Sequence, residues 1–225
     1  MREAKRRGVD ITVETCPQYL LLDTDKMVAL GKLGGIMRVN PPIREPGHAE
    51  PLWDALLDGT VDMIATDHAP HSIEEKTREN IWQCDCGFPG VETQMPLMLT
   101  EVNRGRATIN QYVQWSAVAP AKAWGFYPDK GVIQAGADAD IVIVDMQRDE
   151  AIDQGSLFSK SKISPWHGRR ISAKPVLTMV RGRVVMKDGE VLAAPGTGRA
   201  ARQHMPAPAP RNLDKTTAAI LDYKA

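Results

Sequence analysis

MIATDHAPHSIEEK, residues 63–76, decides how the rest of this chain is read. Met63, Ile64 and Ala65 run without a break toward Asp67, His68 and His71, and then into a charged stretch. A short apolar run of this kind is the pattern of a strand buried on both faces of a parallel sheet. Asp67 then falls at the strand's carboxyl end, where α/β folds gather their functional side chains. A carboxylate there can ligate a metal ion, and it can take a proton from a water whose acidity the cation has raised. On these residues alone a plainer reading competes: Asp67 caps the next segment, and both histidines sit in a loop.

Outward from that stretch, the first half alternates. Arg2 to Arg7 reads as the end of a helix stopped by Gly8. VDITVETCPQYLLL reads as a strand that ends in a loop at its proline. Residues 49–57 are helical in pattern, as are 94–103 and 109–124. The order β-loop-α-β-loop-α is that of an α/β barrel or an open α/β sheet. The second half changes character. GVIQAGADADIVIVDM holds two strand-like runs, and PVLTMVRGRVVMKDGEVL reads as strand, Arg-Gly turn, strand, Asp-Gly turn and a last short strand. The expected organisation is a partial barrel over 1–126, a small antiparallel module over 127–192, and a Pro/Ala-rich tail over 193–225 with a short helix near Thr217.

Composition narrows the function classes. Lys+Arg and Asp+Glu both number 28, so the formal charge is zero and nothing favours nucleic acid or an anionic membrane. There is no apolar run of ~18 residues able to span a bilayer, and MREAKRRGVD lacks the apolar segment of a signal peptide. Three cysteines, Cys16, Cys84 and Cys86, make no disulfide framework. A cytoplasmic location is expected. Cys84-x-Cys86 is not a Cys-x-x-Cys pair and has no second pair to complete a zinc knuckle. Trp82, Trp115 and Trp124 are read as packing residues, and Met95 to Met98 as a buried helix face. His48 and His204 are given no role, and His167 is placed away from the site.

Several segments together carry a resemblance. ATDHAPHSIEEK resembles the signature near the last barrel strand of the cyclic amidohydrolases, the dihydroorotases, allantoinases and hydantoinases. GFPGVETQMPLMLTEVNRGR is similar to the segment that follows it, and VNPPIRE to a substrate loop before it. GADADIVIVD and PVLTMVRGRVVMKDGEV resemble the family's C-terminal β-sandwich. The match runs in order over roughly residues 2–198. It implies a metal-dependent (β/α)8 barrel followed by a small β-sandwich, hydrolysing a cyclic amide or ureide with a pair of Zn2+ ions. It further implies that Asp67 is both metal ligand and catalytic acid–base, taking the proton of the attacking hydroxide and delivering it to the leaving nitrogen. Asn40, His71 and the backbone at Cys86 and Gly87 are implied to contact the substrate ring. Such a ring presents alternating N–H and C=O groups, which an Asn amide and main-chain groups can satisfy together.

The departures from the family pattern are equally specific. Its His-x-His pair, carboxylated lysine and two further histidines have no counterpart in the chain, so Met1 is expected to be an internal position of a longer protein. One carboxylate does not hold two zinc ions. Substrate signals are mixed. VNPPIR and His71 lean to dihydroorotase, whereas ETCPQYLLLD, with Gln18 where dihydroorotases and allantoinases often carry His, leans to hydantoinase or dihydropyrimidinase. Dihydroorotase-like hydrolysis is the main expectation, with allantoinase or hydantoinase the alternative, and a homo-oligomer is expected for the full-length enzyme. A homologue that keeps the fold without catalysis is the reading from another class; the presence of Asp67 argues against it.

Overall fold

A computed structural model describes residues 1–204 of the chain; the helix expected near Thr217 lies outside them. Helix α1 (Arg2–Arg6) ends as expected at Gly8, whose φ of +75° suits a residue without a Cβ. Strand β1 is short, Glu14–Thr15, and PQYLLL does not extend it. Pro17 instead opens helix α2 (Pro17–Leu21), because a helix's first turn has no use for the N–H that proline lacks. Helix α3 (Thr24–Ala29) is capped by the Asp23 carboxylate, which accepts from Lys26 N at 3.0 Å. A 3-10 segment over Gly31–Met37 and helix α4 (Ala49–Leu57) lead to strand β2 (Met63–Ile64). β2 runs parallel to β1 with Glu14 opposite Met63 and Thr15 opposite Ile64. Both β2 residues are buried, as the apolar run of the sequence requires.

The core under this pair explains the helices. Leu20, Trp53, Leu56, Val61, Ile64, Leu97 and Leu99 share one apolar cluster. Trp53 is 1 % exposed, and its indole N–H donates to Leu20 O at 3.1 Å, so the ring is buried with its polar atom satisfied. Helix α5 (Ile73–Lys76) begins at a reciprocal cap between Ser72 and Glu75, and helix α6 (Gln94–Asn103) carries buried Leu97, Met98 and Leu99. Helix α7 (Ile109–Val113) passes through a π turn (Gln114–Val118) into helix α8 (Ala119–Ala123). The widened turn precedes Pro120, which cannot donate back along an ordinary helix. Trp115 is buried, but Trp82 and Trp124 are 80 % and 56 % exposed. The packing role expected for those two tryptophans does not hold.

After Ala123 the chain passes through turns before the next strand. Strand β3 (Ile141–Asp145) is one of the two runs expected in GVIQAGADADIVIVDM; residues 131–137 form turns, consistent with their three small residues before Asp138. β4 (Glu150–Ala151) pairs with β5 (Arg170–Ile171). β6 (Lys174–Val180), β7 (Arg183–Lys187) and β8 (Glu190–Val191) complete an antiparallel sheet of order β3-β6-β7-β8. Both expected hairpin turns are present, with positive φ at Arg181-Gly182 and at Asp188-Gly189. Helix α6 bonds the two parts: Asn103 Nδ2 donates to Met146 O at 2.9 Å and Ser172 O at 3.1 Å, and Ser172 N donates to Thr100 Oγ1 at 3.0 Å. No helix among the described residues is long and apolar enough to cross a membrane.

Candidate active site

Asp67 stands three residues past β2, exposed, with a φ of +48°. Aspartate tolerates this left-handed conformation better than most residues, and it lets the chain leave the strand abruptly. The carboxylate lines a groove of about 980 Å3 that also takes in Cys16, Tyr19, Asn40, Arg44 and Arg169. Burial, with Asp67 and Glu14 adding, pushes the Cys16 thiol up to about 12, so it is a neutral wall of the groove at ordinary pH. Burial, the Cys16 thiol and Asp67 push the Tyr19 phenol up to about 12 as well. Its hydroxyl donates to Pro41 O at 3.0 Å, which ties α2 to the loop carrying Asn40. Neither Cys16 nor Tyr19 stood out in the sequence, because each looks like part of an apolar run. Gln18, 2 % exposed, lies beneath them with its Nε2 unpartnered among the described residues.

The residues after Asp67 form a second cluster. His68 Nδ1 accepts from Gly90 N at 3.1 Å and Val91 N at 3.2 Å, so this nitrogen carries no proton. The two amides also hold His68 against the segment that opens α6. Ala69 N donates to Phe88 O at 3.2 Å. Gly87 is buried with a φ of +121°, and a Cβ there would come within 2.5 Å of Ala69 Cβ. That close approach is what demands a glycine. His71 Nε2–H donates to Cys86 O at 3.0 Å, while its Nδ1 lies 3.4 Å from Glu75 Oε2. Beneath them Lys76 is 1 % exposed, its ammonium donating to Arg38 O at 2.8 Å and Asp85 O at 2.6 Å.

The structure thus brings Asp67 and Asn40 to one groove, and joins His71, Cys86 and Gly87 in an adjoining loop cluster that does not line it. Lys76, which reads in sequence as one more solvated charge, is the residue the sequence reasoning missed. A metal can be tested against these donors. His71, Glu75 and Asp85 offer ligand atoms within 4.8 Å of one another. All three are already engaged, His71 with Cys86 O, Glu75 with Ser72 N at 2.8 Å and Asp85 with Arg78 at 3.7 Å, and the group excludes Asp67. Among the described residues Asp67 is therefore a single carboxylate, which can fill one position around a metal but does not itself build a two-metal centre.

Three comparisons bear on this geometry. A model of the amidohydrolase family matches residues 12–185. The chain is 39 % identical over 202 residues to an L-hydantoinase of Paenarthrobacter aurescens, covering 88 % of the chain and 43 % of that protein. It is 41 % identical over 193 residues to a dihydroorotase of Acetivibrio thermocellus, covering 85 % of the chain and 44 % of that protein. The crystal structure of a dihydropyrimidinase from Brevibacillus agri superposes with a TM-score of 0.86 at 29 % identity, over 92 % of the chain and 46 % of that structure. The chain spans less than half the length of each of these relatives.

Proposed function

This chain belongs to the amidohydrolase family, and from that premise we propose that it supplies the acid–base carboxylate and the ring contacts of an enzyme that hydrolyses a cyclic amide, dihydroorotate being the first candidate. Its parallel strand pair and helices are part of a TIM-type barrel, with the antiparallel sheet following. We place the division near residue 126 and the end of the sheet module near residue 192. The observation that carries the reading is Asp67, held in a left-handed turn at the end of a buried parallel strand and facing the groove it shares with Asn40.

The chemistry asked of the chain's own residues is limited. An exposed carboxylate at the groove accepts a proton from the attacking water and returns it to the departing ring nitrogen. The Asn40 amide offers both a donor and acceptor to a ring of alternating N–H and C=O groups, and the main chain adds Cys86 N–H and Gly87 C=O, Gly87 N–H being given to Arg38 O and Cys86 O to His71. His71 serves the ring contact through the Cys86 loop, which it holds by donating to Cys86 O. Members of this superfamily are generally metal-dependent. In our reading the metal is zinc, with Asp67 one of its ligands, and it would polarise the ring carbonyl and acidify water. The acting unit is a homo-oligomer of the complete enzyme.

Hydantoinase or dihydropyrimidinase activity is the second reading, favoured by the likeness to the L-hydantoinase and by buried Gln18; allantoinase is a further alternative. One experiment separates these: metal content by elemental analysis, with hydrolysis of dihydroorotate, hydantoin, dihydrouracil and allantoin assayed on the same sample, for wild type and Asp67→Asn. We expect turnover of one ring class that Asp67→Asn abolishes. Near-normal turnover in that variant overturns the assignment of Asp67, and a wild-type enzyme inert on all four rings favours the non-catalytic homologue.

A further inference from the structure

We infer that Lys76 is a positioning residue, a buried ammonium that fixes the Asn40 loop and the Cys86–Gly87 loop in one arrangement for the substrate ring; this rests on the function proposed above. Its Nζ donates to Arg38 O at 2.8 Å, two residues before Asn40, and to Asp85 O at 2.6 Å, one residue before Cys86. Arg38 O also receives Gly87 N at 2.9 Å, so a single carbonyl joins both loops. Asp85 N donates to Glu75 O at 3.0 Å, which returns the loop to the helix that carries Lys76. His71 completes the set through Cys86 O. Each proposed ring contact in the loops is therefore within two residues of a carbonyl in this network.

The choice of residue argues for this role over simple packing. Lys76 is 1 % exposed, and its two hydrogen-bond acceptors are both main-chain carbonyls, with no carboxylate among them. An unpaired buried charge is costly, and an apolar side chain of similar length would fill the space without that penalty. What an apolar residue cannot do is hold two carbonyls of separate loops at a fixed separation. A three-donor ammonium on a flexible stem can. Neighbouring packing leaves little slack: a Cβ on Gly35 would lie 2.4 Å from Lys76 O and 2.6 Å from Cys84 Sγ.

The test uses Lys76→Met, which keeps the length and removes the donors, and Lys76→Gln, which keeps a donor on a shorter stem. Both are made in the metal-loaded enzyme with Asp67 intact. For Lys76→Met we expect KM to rise at least tenfold with kcat within about threefold of wild type. Amide hydrogen exchange should rise in residues 38–40 and 85–87 and stay unchanged in α6. Lys76→Gln should recover part of the KM loss. Folded Lys76→Met with unchanged KM overturns the inference, as does a fall in kcat alone or exchange that rises throughout the chain. If Lys76→Met does not fold, Lys76→Gln carries the test, with KM raised threefold or more at unchanged kcat as the supporting result. Failure of both to fold assigns Lys76 to stability and overturns the inference. A wild-type enzyme that hydrolyses no cyclic amide strikes the function proposal, whereas an active wild type with an unchanged Lys76→Met KM strikes this inference alone.

Discussion

Asp67 and Lys76 stand nine residues apart in one stretch of sequence and are treated in opposite ways by the fold. Asp67 is exposed at the groove, in a left-handed turn past the end of β2. Lys76 is sealed under the loops with its charge given to two carbonyls. The difference teaches that charge in this segment serves two ends: an accessible group for proton transfer, and a buried one for shape. Removing the first should leave the fold intact and stop the chemistry. Removing the second should alter geometry and leave the chemistry possible.

The largest expected effect belongs to Asp67. Asp67→Asn keeps a side chain that tolerates a φ of +48°, so the turn is preserved. Turnover in the enzyme should fall by about 10²–10⁴, the usual worth of a positioned acid–base group, with more lost if a metal leaves with it. Thermal stability should shift by no more than about 0.5 kcal/mol, as for an exposed site. A variant that loses stability along with activity breaks the contrast with Lys76.

The next effect is a pH dependence peculiar to Lys76. Burial pushes its ammonium down to about 8, against opposing pulls from Cys86, Cys84 and Asp85 and a further push from Arg38. Between pH 8 and the ordinary lysine value near 10.5, the folded chain has released a proton that the unfolded chain still holds. Stability contributed by this group therefore rises with pH across that window, by roughly 3 kcal/mol. The buried thiol of Cys16 and the phenols of Tyr19 and Tyr112, all raised to about 12, act the other way above pH 9. They are common to both proteins, so the difference between wild type and Lys76→Met in chemical denaturation isolates the lysine. A difference that stays flat from pH 7 to 10.5 refutes the buried-charge account.

Gly87 sharpens the comparison on the loop side. Gly87→Ala would put a Cβ 2.5 Å from Ala69 Cβ and 2.9 Å from Ala69 O, at a φ of +121°. We expect a loss of about 1–3 kcal/mol, of the order found for overpacked sites, together with a raised KM. A denaturation midpoint equal to wild type would show that this loop is free to move, and would weaken the case for a fixed arrangement.

How much of this was legible in the sequence varies by element. The strand before Asp67, the helix over 94–103 and both hairpin turns were readable because burial pattern and turn chemistry point the same way there. PQYLLL was not, since four apolar or aromatic residues after a proline suit a strand and a buried helix equally, and tertiary burial chose the helix. Trp82 looked like core and is exposed, because aromatic identity says nothing about which loop will cover it. Lys76 was hidden for the opposite reason. SIEEK has the composition of a solvated helix end, and only the meeting of residues 38, 76 and 85 in space turns its last residue inward. In the same way Asn40 and Asp67 are both visible as polar residues beside apolar runs, but their common groove is a property of the fold.

Tyr19 gives the smallest expected effect and the finest test of where that groove takes its shape. Tyr19→Phe removes the bond from its hydroxyl to Pro41 O and the phenol's interaction with the Gln18 side chain. The phenol is also part of the groove wall beside Asp67 and Cys16. Loss of one such hydrogen bond is worth about 0.5–1.5 kcal/mol. If the Asn40 loop is positioned from both sides, by Tyr19 at Pro41 and by Lys76 at Arg38, then Tyr19→Phe should raise KM a few-fold and leave kcat unchanged, while relieving part of the loss of stability above pH 10 that its raised phenol causes. Combined with Lys76→Met, the two KM effects should then exceed the product of the single changes, because each bond limits the movement left by losing the other. Strictly multiplicative effects in that cycle would mean the two bonds hold different parts of the groove, with Lys76 acting only through the Cys86 side.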